Sequence, residues 1–430
     1  MIAIPFVILL LLLAIGMPIG FALIAASLTT LYTLGLAPLT LVPDILYESV
    51  GHFTLLAIPF FLLAAELLSA GGLIDRIFDL ALAIVGRLRG GMGAACVVAT
   101  GLFAGIQGSS AADAAAIGKI GTTGMMRQGY RGGFSAALIA AAGATAILIP
   151  PSIAMLIYAS MVNVSVGRMF FAGIVPGVLN VIAFLVFVVV RAHHLGWRAD
   201  AQPPFATTAQ RLGAFRRAFW VLTLPLFILY GFYTGNFTAT EISTASAMYA
   251  GVLALFVYRT LRTGELGVVI MQTARTTVNL FTIIAGAVLL SKVLTFLNAP
   301  RLIFGIIEDF HLSGWQFLLV ISAVMFVLGM FMEAVALNVM TTPILAPIAM
   351  KLGIDPVHYG IVLILNIEVA LITPPVGLNL FVLAGATRLP LHEIFREVLP
   401  FVAILTALLI LIIFVPQISL WLPDLLMPSP

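Results

Sequence analysis

Gly105-Ile106-Gln107-Gly108-Ser109-Ser110 interrupts one long apolar segment of this chain, and Ile149-Pro150-Pro151-Ser152 interrupts the next. The pattern recurs at a constant offset of 224 residues, as Gly329-Met330-Phe331-Met332-Glu333 followed by Thr373-Pro374-Pro375-Val376. Glycine loosens the helical backbone, and consecutive prolines remove two N–H donors, so each motif is expected to break a helix. The chain therefore carries two copies of one arrangement of interrupted segments.

The composition is that of an integral membrane protein. Only 9% of the 430 residues are charged and 62% are hydrophobic, whereas soluble domains have roughly 25% charged residues. Net charge is only +3 and there is a single cysteine, so neither nucleic-acid binding nor an internal disulfide is predicted. Apolar runs of spanning length lie at 2–35, 54–72, 133–160, 168–190, 218–235, 241–258, 276–298, 357–387 and 397–422.

Basic residues orient the chain in the bilayer. The loop 191–217 is rich in arginine and histidine and is assigned to the cytoplasm by the positive-inside rule. If 92–128 and 314–350 are re-entrant hairpins, fifteen of the twenty Lys and Arg lie inside, three lie outside, and Lys119 and Lys292 lie at membrane depth. The hairpins then enter from opposite faces, which defines an inverted-topology repeat with a periplasmic C-terminus.

The broken segments have a chemical use. Unwound carbonyls and half-helix C-termini can coordinate Na⁺, and half-helix N-termini can receive an anion. In the first copy, the hydroxyls of Ser109 and Ser110 are expected to meet carbonyls freed by Pro150-Pro151, near Ala146 and Ile149. The second copy offers the corresponding groups at Gly329, Met332, Glu333, Ala370, Thr373 and Val376.

Ionisable and amide side chains cluster near the breaks. Asp113, Glu333 and Glu368 are the nearest ionisable groups, and Asn366 and Asn379 flank the second Pro-Pro pair. Charged groups at membrane depth are costly and are functional candidates for that reason. For Asp113 and Glu333, capping of a half-helix is an equally good interpretation.

These residues resemble the large membrane subunit of tripartite ATP-independent periplasmic (TRAP) transporters, within the ion-transporter superfamily. The resemblance covers essentially the whole chain. Beyond the motifs above, it rests on Gly108-Ser109-Ser110-Ala111-Ala112-Asp113, Gly16-Met17-Pro18-Ile19-Gly20-Phe21-Ala22, Ala57-Ile58-Pro59-Phe60-Phe61, Gly71-Gly72-Leu73 and the stretch from Asn366 to Asn379. In this family a glycine is usual where Ala146 and Ala370 stand here.

The resemblance implies an all-α polytopic protein in the bacterial inner membrane that imports a small organic acid with sodium. An elevator-type transport domain would move against a scaffold with interfacial arm helices. A separate small membrane (Q) subunit and a periplasmic substrate-binding (P) subunit are the implied partners, and no cofactor beyond the coupling Na⁺ is expected.

The same resemblance implies a division of the chain. Residues 1–90 would form scaffold helices and a first arm; 91–167, the first transport repeat with hairpin 92–128 and broken helix 133–160; and 168–313, further scaffold, loop 191–217 and a second arm. Residues 314–390 would form the second repeat with hairpin 314–350 and broken helix 357–387, and 391–430 a C-terminal helix.

Three groups of site residues follow from the resemblance. Sodium site 1 would use Gln107, Gly108, Ser109, Ser110, Ala146, Ile149 and Pro151. Sodium site 2 would use Gly329, Met332, Glu333, Ala370, Thr373 and Val376. The substrate would meet Ser110, Asp113, Ser152, Asn366, Pro375 and Asn379.

Other functions fit the sequence less well. An intramembrane serine protease needs a base near Ser109 or Ser110, but all six histidines fall in predicted loops or at span ends. An ATP-driven pump is disfavoured because no Gly-x-x-x-x-Gly-Lys-Ser/Thr phosphate loop occurs. A facilitative channel, or a carrier of the same superfamily that works without a binding protein, remains open.

Overall fold

The computed structural model describes residues 2–194 and 207–427, apart from the side chain of Gln107. Within these ranges the chain is helical and contains no strand. Its α-helices are α1 Ala3–Ala14, α2 Ile19–Leu34, α3 Val42–Val50, α4 Ala57–Ala70, α5 Ile74–Val85, α6 Gly91–Gln107, α7 Ser110–Arg127, α8 Gly132–Ala144, α9 Ile153–Val162, α10 Val166–His194, α11 Thr208–Thr234, α12 Ala239–Val252, α13 Leu266–Phe296, α14 Ala299–Asp309, α15 Gly314–Gly329, α16 Ala334–Lys351, α17 Pro356–Leu371, α18 Leu378–Thr387, α19 Leu391–Phe414 and α20 Gln417–Leu426.

Local sequence signals set several helix boundaries. Capping boxes, in which two residues satisfy each other's backbone N–H groups, begin α11, α12 and α15 at Thr207, Thr238 and Ser313. Glycines in the left-handed conformation end α2 at Gly35 and α11 at Gly235. Polar residues thus begin these helices, and glycines end two of the helices.

Seven helical stretches in the described part of the chain are long and apolar enough to cross a bilayer, judged by length and composition alone. They are Phe53–Ala70, Val166–His194, Thr208–Thr234, Ala239–Val257, Thr263–Phe296, Ala334–Lys351 and Leu391–Phe414. The stretch Ala334–Lys351 lies within the predicted hairpin 314–350, so its length alone does not distinguish a hairpin arm from a span.

Two stretches of the chain differ from their predicted structure. The run 2–35 forms two helices, because Gly16 adopts φ 85° and Pro18 follows it before α2 begins. The predicted loop 191–217 is largely helical in the described residues, since α10 continues to His194 and the Thr207 capping box starts α11. Residues 195–206 of that loop lie outside the described ranges.

The first predicted hairpin consists of two antiparallel helices, α6 and α7. A Cβ atom on Gly121 would come within 2.8 Å of Cys96 Sγ, and one on Gly124 would overlap Met92. Residues further along α7 thus pack against residues earlier in α6, and glycine at both positions allows the close approach. Cys96 is buried in this contact, as a small apolar side chain would be.

The second predicted hairpin is more open. Its helices α15 and α16 each pack against α17. A cavity of about 300 Å³ with an apolar surface lies between α15 and α16, and α1 and α14 also bound it. Helices α5 and α14 lie in the parts of the chain predicted to hold the first and the second arm. They pack against α6 and α11 and against α13 and α16, respectively.

Candidate functional site

The first hairpin tip lies against the first Pro-Pro break. Between α6 and α7, Gly108 adopts φ 59° and Ser109 is extended. A Cβ atom on Gly108 would overlap the carbonyl oxygen of Pro151. Only glycine therefore fits both the backbone conformation and the space at this tip.

The first break is closed by a serine. A single 3-10 turn, Thr145–Ile147, follows α8, and α9 starts after Ser152. The Ser152 hydroxyl donates to the carbonyl of Ile147 at 2.5 Å and accepts from the N–H of Met155 at 3.3 Å. Ser152 is therefore buried and caps α9. The carbonyl oxygen of Ala146 has no helical donor, because the residue four positions later is Pro150, which lacks an N–H group.

The second tip also lies against the segment of the second break, through a pair of residues equivalent to Gly105 and Ala146 rather than to Gly108 and Pro151. A Cβ atom on Gly329 would overlap the methyl group of Ala370. At this tip the Glu333 carboxylate accepts hydrogen bonds from the N–H groups of Val335 at 2.9 Å and Ala336 at 3.2 Å. Glu333 is therefore the N-cap of α16, in agreement with the capping interpretation.

The second break is more exposed than the first. Thr373 Oγ1 donates to the carbonyl of Val369 at 2.7 Å, and Gly377, at φ 53°, leads into α18. Pro375 and Val376 are exposed, whereas Pro150 and Pro151 are buried. Both Pro-Pro peptide bonds are cis. The two copies thus share backbone features while differing in access to solvent.

The two tips and the two breaks meet at one cavity of about 110 Å³. The first tip contributes its turn and the first residues of α7, the second contributes Glu333 and the first residues of α16, and α4 and α13 close the other side. The lining residues are Leu62, Gly108, Ser109, Ser110, Ala111, Ile147, Ile153, Ala154, Thr276, Leu280, Glu333, Ala334, Val335, Leu371 and Leu378. Among these described lining residues there is no histidine that could act as a base for a serine nucleophile.

Several predicted substrate residues lie behind the tips rather than on the cavity. Asn379 Nδ2 donates to Ser110 Oγ at 2.6 Å and to the carbonyl of Ala140 at 2.9 Å. Asn366 Nδ2 donates to Ser322 Oγ at 3.0 Å and thereby joins α17 to α15. Asp113 is fully buried, and neither carboxylate oxygen has a hydrogen-bond partner in the described structure. Ser110 is the predicted substrate residue that lines the cavity.

The most extensive buried polar contact was not predicted from the sequence. The Glu368 carboxylate accepts a hydrogen bond from Thr145 Oγ1 at 2.7 Å, and Asn180 Nδ2 lies 2.8 Å from each of its oxygens. Its two partners come from the first break and from α10, far away in the chain. Thr276 and Leu280 on α13 were also missed, because one threonine in a long apolar helix gives no signal.

The all-helical apolar fold, with two helix tips meeting at one cavity, defines a membrane transporter. In agreement, the chain is similar in structure to the YdaH transporter of Alcanivorax borkumensis, with a TM-score of 0.60 over 92% of this chain and 91% of that one, at 12% sequence identity. At this identity the likeness concerns the fold alone.

Residues 6–418 match the family described as "Tripartite ATP-independent periplasmic transporter, DctM component". A similar protein from Pseudomonas aeruginosa, 43% identical over 88% of each chain, is named "C4-dicarboxylate TRAP transporter large permease protein DctM". An Oleidesulfovibrio alaskensis protein, 35% identical over 95% of this chain and 64% of its own length, is named "Isethionate TRAP transporter permease protein DctMQ". The chain belongs to this family of large permease components and is a transporter subunit, not an enzyme.

Proposed function

We propose that this permease imports a small organic acid together with sodium, and that the cavity between the two hairpin tips receives the substrate. The single observation that carries the proposal is the convergence of both tips and both Pro-Pro breaks on that cavity. Breaks of this kind supply free carbonyls and half-helix ends without exposing them to lipid.

Sodium is assigned to the two tip-and-break contacts. At the first, Gly108 lies against Pro151, and the hydroxyls of Ser109 and Ser110 are nearby. At the second, Gly329 lies against Ala370, with Met332, Thr373 and Val376 as further candidates. Carbonyl and hydroxyl oxygens are suitable ligands for a hard cation. In the described part of the chain no group of three His, Cys, Asp or Glu side chains forms an alternative site.

The anion is assigned to the N-terminus of α7. Ser110 and Ala111 at that end line the cavity, and the N-cap residue Ser109 makes no side-chain capping bond in the described structure. The N-terminus of α16 is already occupied by the Glu333 carboxylate. Because a free helix N-terminus favours a carboxylate, the substrate acid is expected at the first tip. The names of the relatives favour a C4-dicarboxylate or a related acid such as a sulfonate.

A polar face on α13 supports a water-filled path to this cavity. Gln272, Arg275 and Asn279 are exposed and share a helical face with Thr276, which lines the cavity. Exposed apolar residues, including Met271 and Val278, lie on an adjacent face of the helix, about 100° around its axis from the polar residues. Polar groups within a spanning helix normally face water or protein, so the apolar side is assigned to lipid.

The transport cycle is assigned to an elevator mechanism built from inverted repeats. The recurring motifs and the charge distribution support the repeats, and the family resemblance supports the elevator. We assign α10 to the moving unit rather than to the scaffold, because Asn180 bonds to Glu368 on α17 and Arg191 Nη2 lies 2.6 Å from Glu397 on α19. Helices joined by such contacts are expected to move together.

The partners and location follow from the family. A periplasmic binding protein would deliver the acid, and a small membrane subunit would complete the permease in the inner membrane, with the C-terminus periplasmic. That small subunit is expected as a separate chain, although the name of the Oleidesulfovibrio relative combines both components.

Uptake into proteoliposomes tests this proposal. The complete transporter, given its binding protein and labelled succinate, is expected to accumulate the acid above its external concentration. Uptake that stops at equal concentrations would identify the facilitative channel. Equal uptake without the binding protein would identify a carrier that does not need it.

A further inference from the structure

A second cavity lies along α13, away from the hairpin tips. It has a volume of about 210 Å³ and is bounded by α3, α9 and α13. Unlike the apolar cavity beside α14, it has polar walls, to which Glu48, Ser49, His52, Ser160 and Lys292 contribute. It is therefore a second place in the protein where a polar ligand can be held.

The same two helices connect this cavity to the central one. Thr276 and Leu280 of α13 line the central cavity, and Ile284, Val288 and Lys292 continue the same i, i+4 ridge into the second. On α9, Ala154 lines the central cavity and Ser160 the second. At a rise of 1.5 Å per residue, the two cavities are roughly 15 Å apart along α13.

Lys292 gives the second cavity its chemistry. It is exposed within an otherwise apolar helical segment, and it has no ion pair among the described residues. An ammonium group at such a site requires water or an anion. Ser160 on the facing helix can donate a hydrogen bond to the same anion. Glu48 on α3 also lines the cavity but forms no ion pair with Lys292 among the described residues, so the ammonium group is available to a single carboxylate.

We propose that this cavity is a second binding site for the transported acid, in which one carboxylate pairs with Lys292 and bonds to Ser160 before the acid reaches the central cavity. The proposal rests on the proposed function for the class of ligand. The topology assigned above puts the C-terminal ends of α9 and α13 on the periplasmic side. The site would thus lie between the periplasm and the hairpin tips.

Thiol protection tests occupancy of the site without transport. Ser160→Cys places a thiol on the cavity wall at a position that is 9% exposed, whereas the native Cys96 is fully buried and is expected to react much more slowly. The variant, purified with its small subunit, is alkylated in sodium-free buffer with and without succinate. Sodium is omitted because the proposed coupling makes occupancy of the central cavity depend on it. At a succinate concentration of about ten times its dissociation constant, we expect alkylation to slow by about tenfold, because only the unoccupied fraction reacts.

Two further variants test whether the protection depends on Lys292. Lys292→Gln in the Ser160→Cys background is expected to abolish protection, and Arg301→Gln, which changes an exposed basic residue outside the cavity, is expected to retain it. Absence of protection, or protection that survives Lys292→Gln, would overturn the proposal. Protection by phosphatidylglycerol but not by succinate would also overturn it, and would identify a lipid headgroup site.

Kinetics provide a second measurement if Ser160→Cys fails to fold. Lys292→Gln alone is expected to raise the KM for uptake by about tenfold with little change in kcat, while Arg301→Gln leaves both unchanged. An unchanged KM in Lys292→Gln would contradict the site. If uptake is driven by sodium but succinate does not protect the Ser160→Cys thiol, the second binding site alone is refuted. If succinate protects the thiol but uptake is not driven by sodium, the proposed coupling alone is refuted.

Discussion

Asn379 Nδ2 lies 2.6 Å from Ser110 Oγ, and this hydrogen bond joins α18, just after the second break, to the first turn of α7 at the first hairpin tip. The same amide donates to the carbonyl of Ala140 on α8 at 2.9 Å. One buried side chain thus holds together elements of both sequence copies. It fixes the hydroxyl of Ser110, which lines the central cavity.

Asn379→Ala is expected to raise the sodium concentration needed for half-maximal uptake, because Ser110 loses the group that orients it. The free energy of unfolding should fall by about 1–3 kcal/mol, the cost of leaving a buried polar group unsatisfied. Asn366→Ala is the control, because it removes a buried amide from α17 that does not contact Ser110. Equal sodium dependence in the two variants would contradict the role of Asn379.

Gly108→Ala is expected to abolish uptake, since the added methyl group overlaps the carbonyl oxygen of Pro151 and the backbone has a positive φ. Gly129→Ala is a matched control: its φ of 83° is also positive, but a Cβ atom there has no neighbour within 4 Å. Its cost should be limited to about 1 kcal/mol of backbone strain. Initial uptake rates and thermal stability would be measured for both, and comparable losses would argue against the close contact.

Glu333→Ala is expected to lower the free energy of unfolding by about 0.5–2 kcal/mol through loss of the α16 cap. Glu333→Gln should lose less, because its side-chain oxygen can still accept from Val335 and Ala336. Thermal unfolding of both variants in one detergent would measure the difference. An alanine variant as stable as the wild type would show that the cap contributes little.

Asn180→Ala is expected to destabilise the protein by about 1.5–3 kcal/mol, because Glu368 loses a donor that lies 2.8 Å from each of its oxygens. Thr145→Val removes the other donor, at 2.7 Å. Since both act on one carboxylate, the effects of the two substitutions should not be additive. A double-mutant cycle on the unfolding free energy tests this, and strictly additive effects would indicate that the three residues do not act together.

Ser110→Ala and Thr373→Ala are each expected to raise the sodium concentration for half-maximal uptake by about tenfold, equivalent to about 1.4 kcal/mol. Thr387→Ala is matched to the second variant, because Thr387 bonds back to Leu383 as Thr373 does to Val369 but lies at the far end of α18. Sodium titrations that match the wild type in both test variants would refute the two site assignments.

The sequence predicted those parts of the fold that depend on local chemistry. The breaks at Gly108 and at Pro150-Pro151 follow from residue types alone, and the helices on either side end close to the expected residues. The cap at Glu333 could also be predicted, because it needs only two neighbouring N–H groups. By contrast, α11 begins earlier than its apolar run suggested, since the Thr207 capping box supports a polar first turn.

Contacts between distant segments could not be predicted. Glu368 was noted as an ionisable group near a break, yet its partners Thr145 and Asn180 lie 223 and 188 residues away. Asn379 was expected to contact the substrate, which stays a prediction, and its hydrogen bond to Ser110, 269 residues away, had no signal in the sequence. Which polar groups face a cavity and which support it depends on helix packing, about which a single sequence carries little information.

The most direct test of the central claim measures labelled succinate in proteoliposomes containing the complete transporter and its binding protein, with and without an inward sodium gradient. If the paired breaks hold sodium beside the acid, accumulation should require the gradient and should depend on sodium concentration with a Hill coefficient above one. Undiminished accumulation in the absence of any sodium gradient would contradict the account.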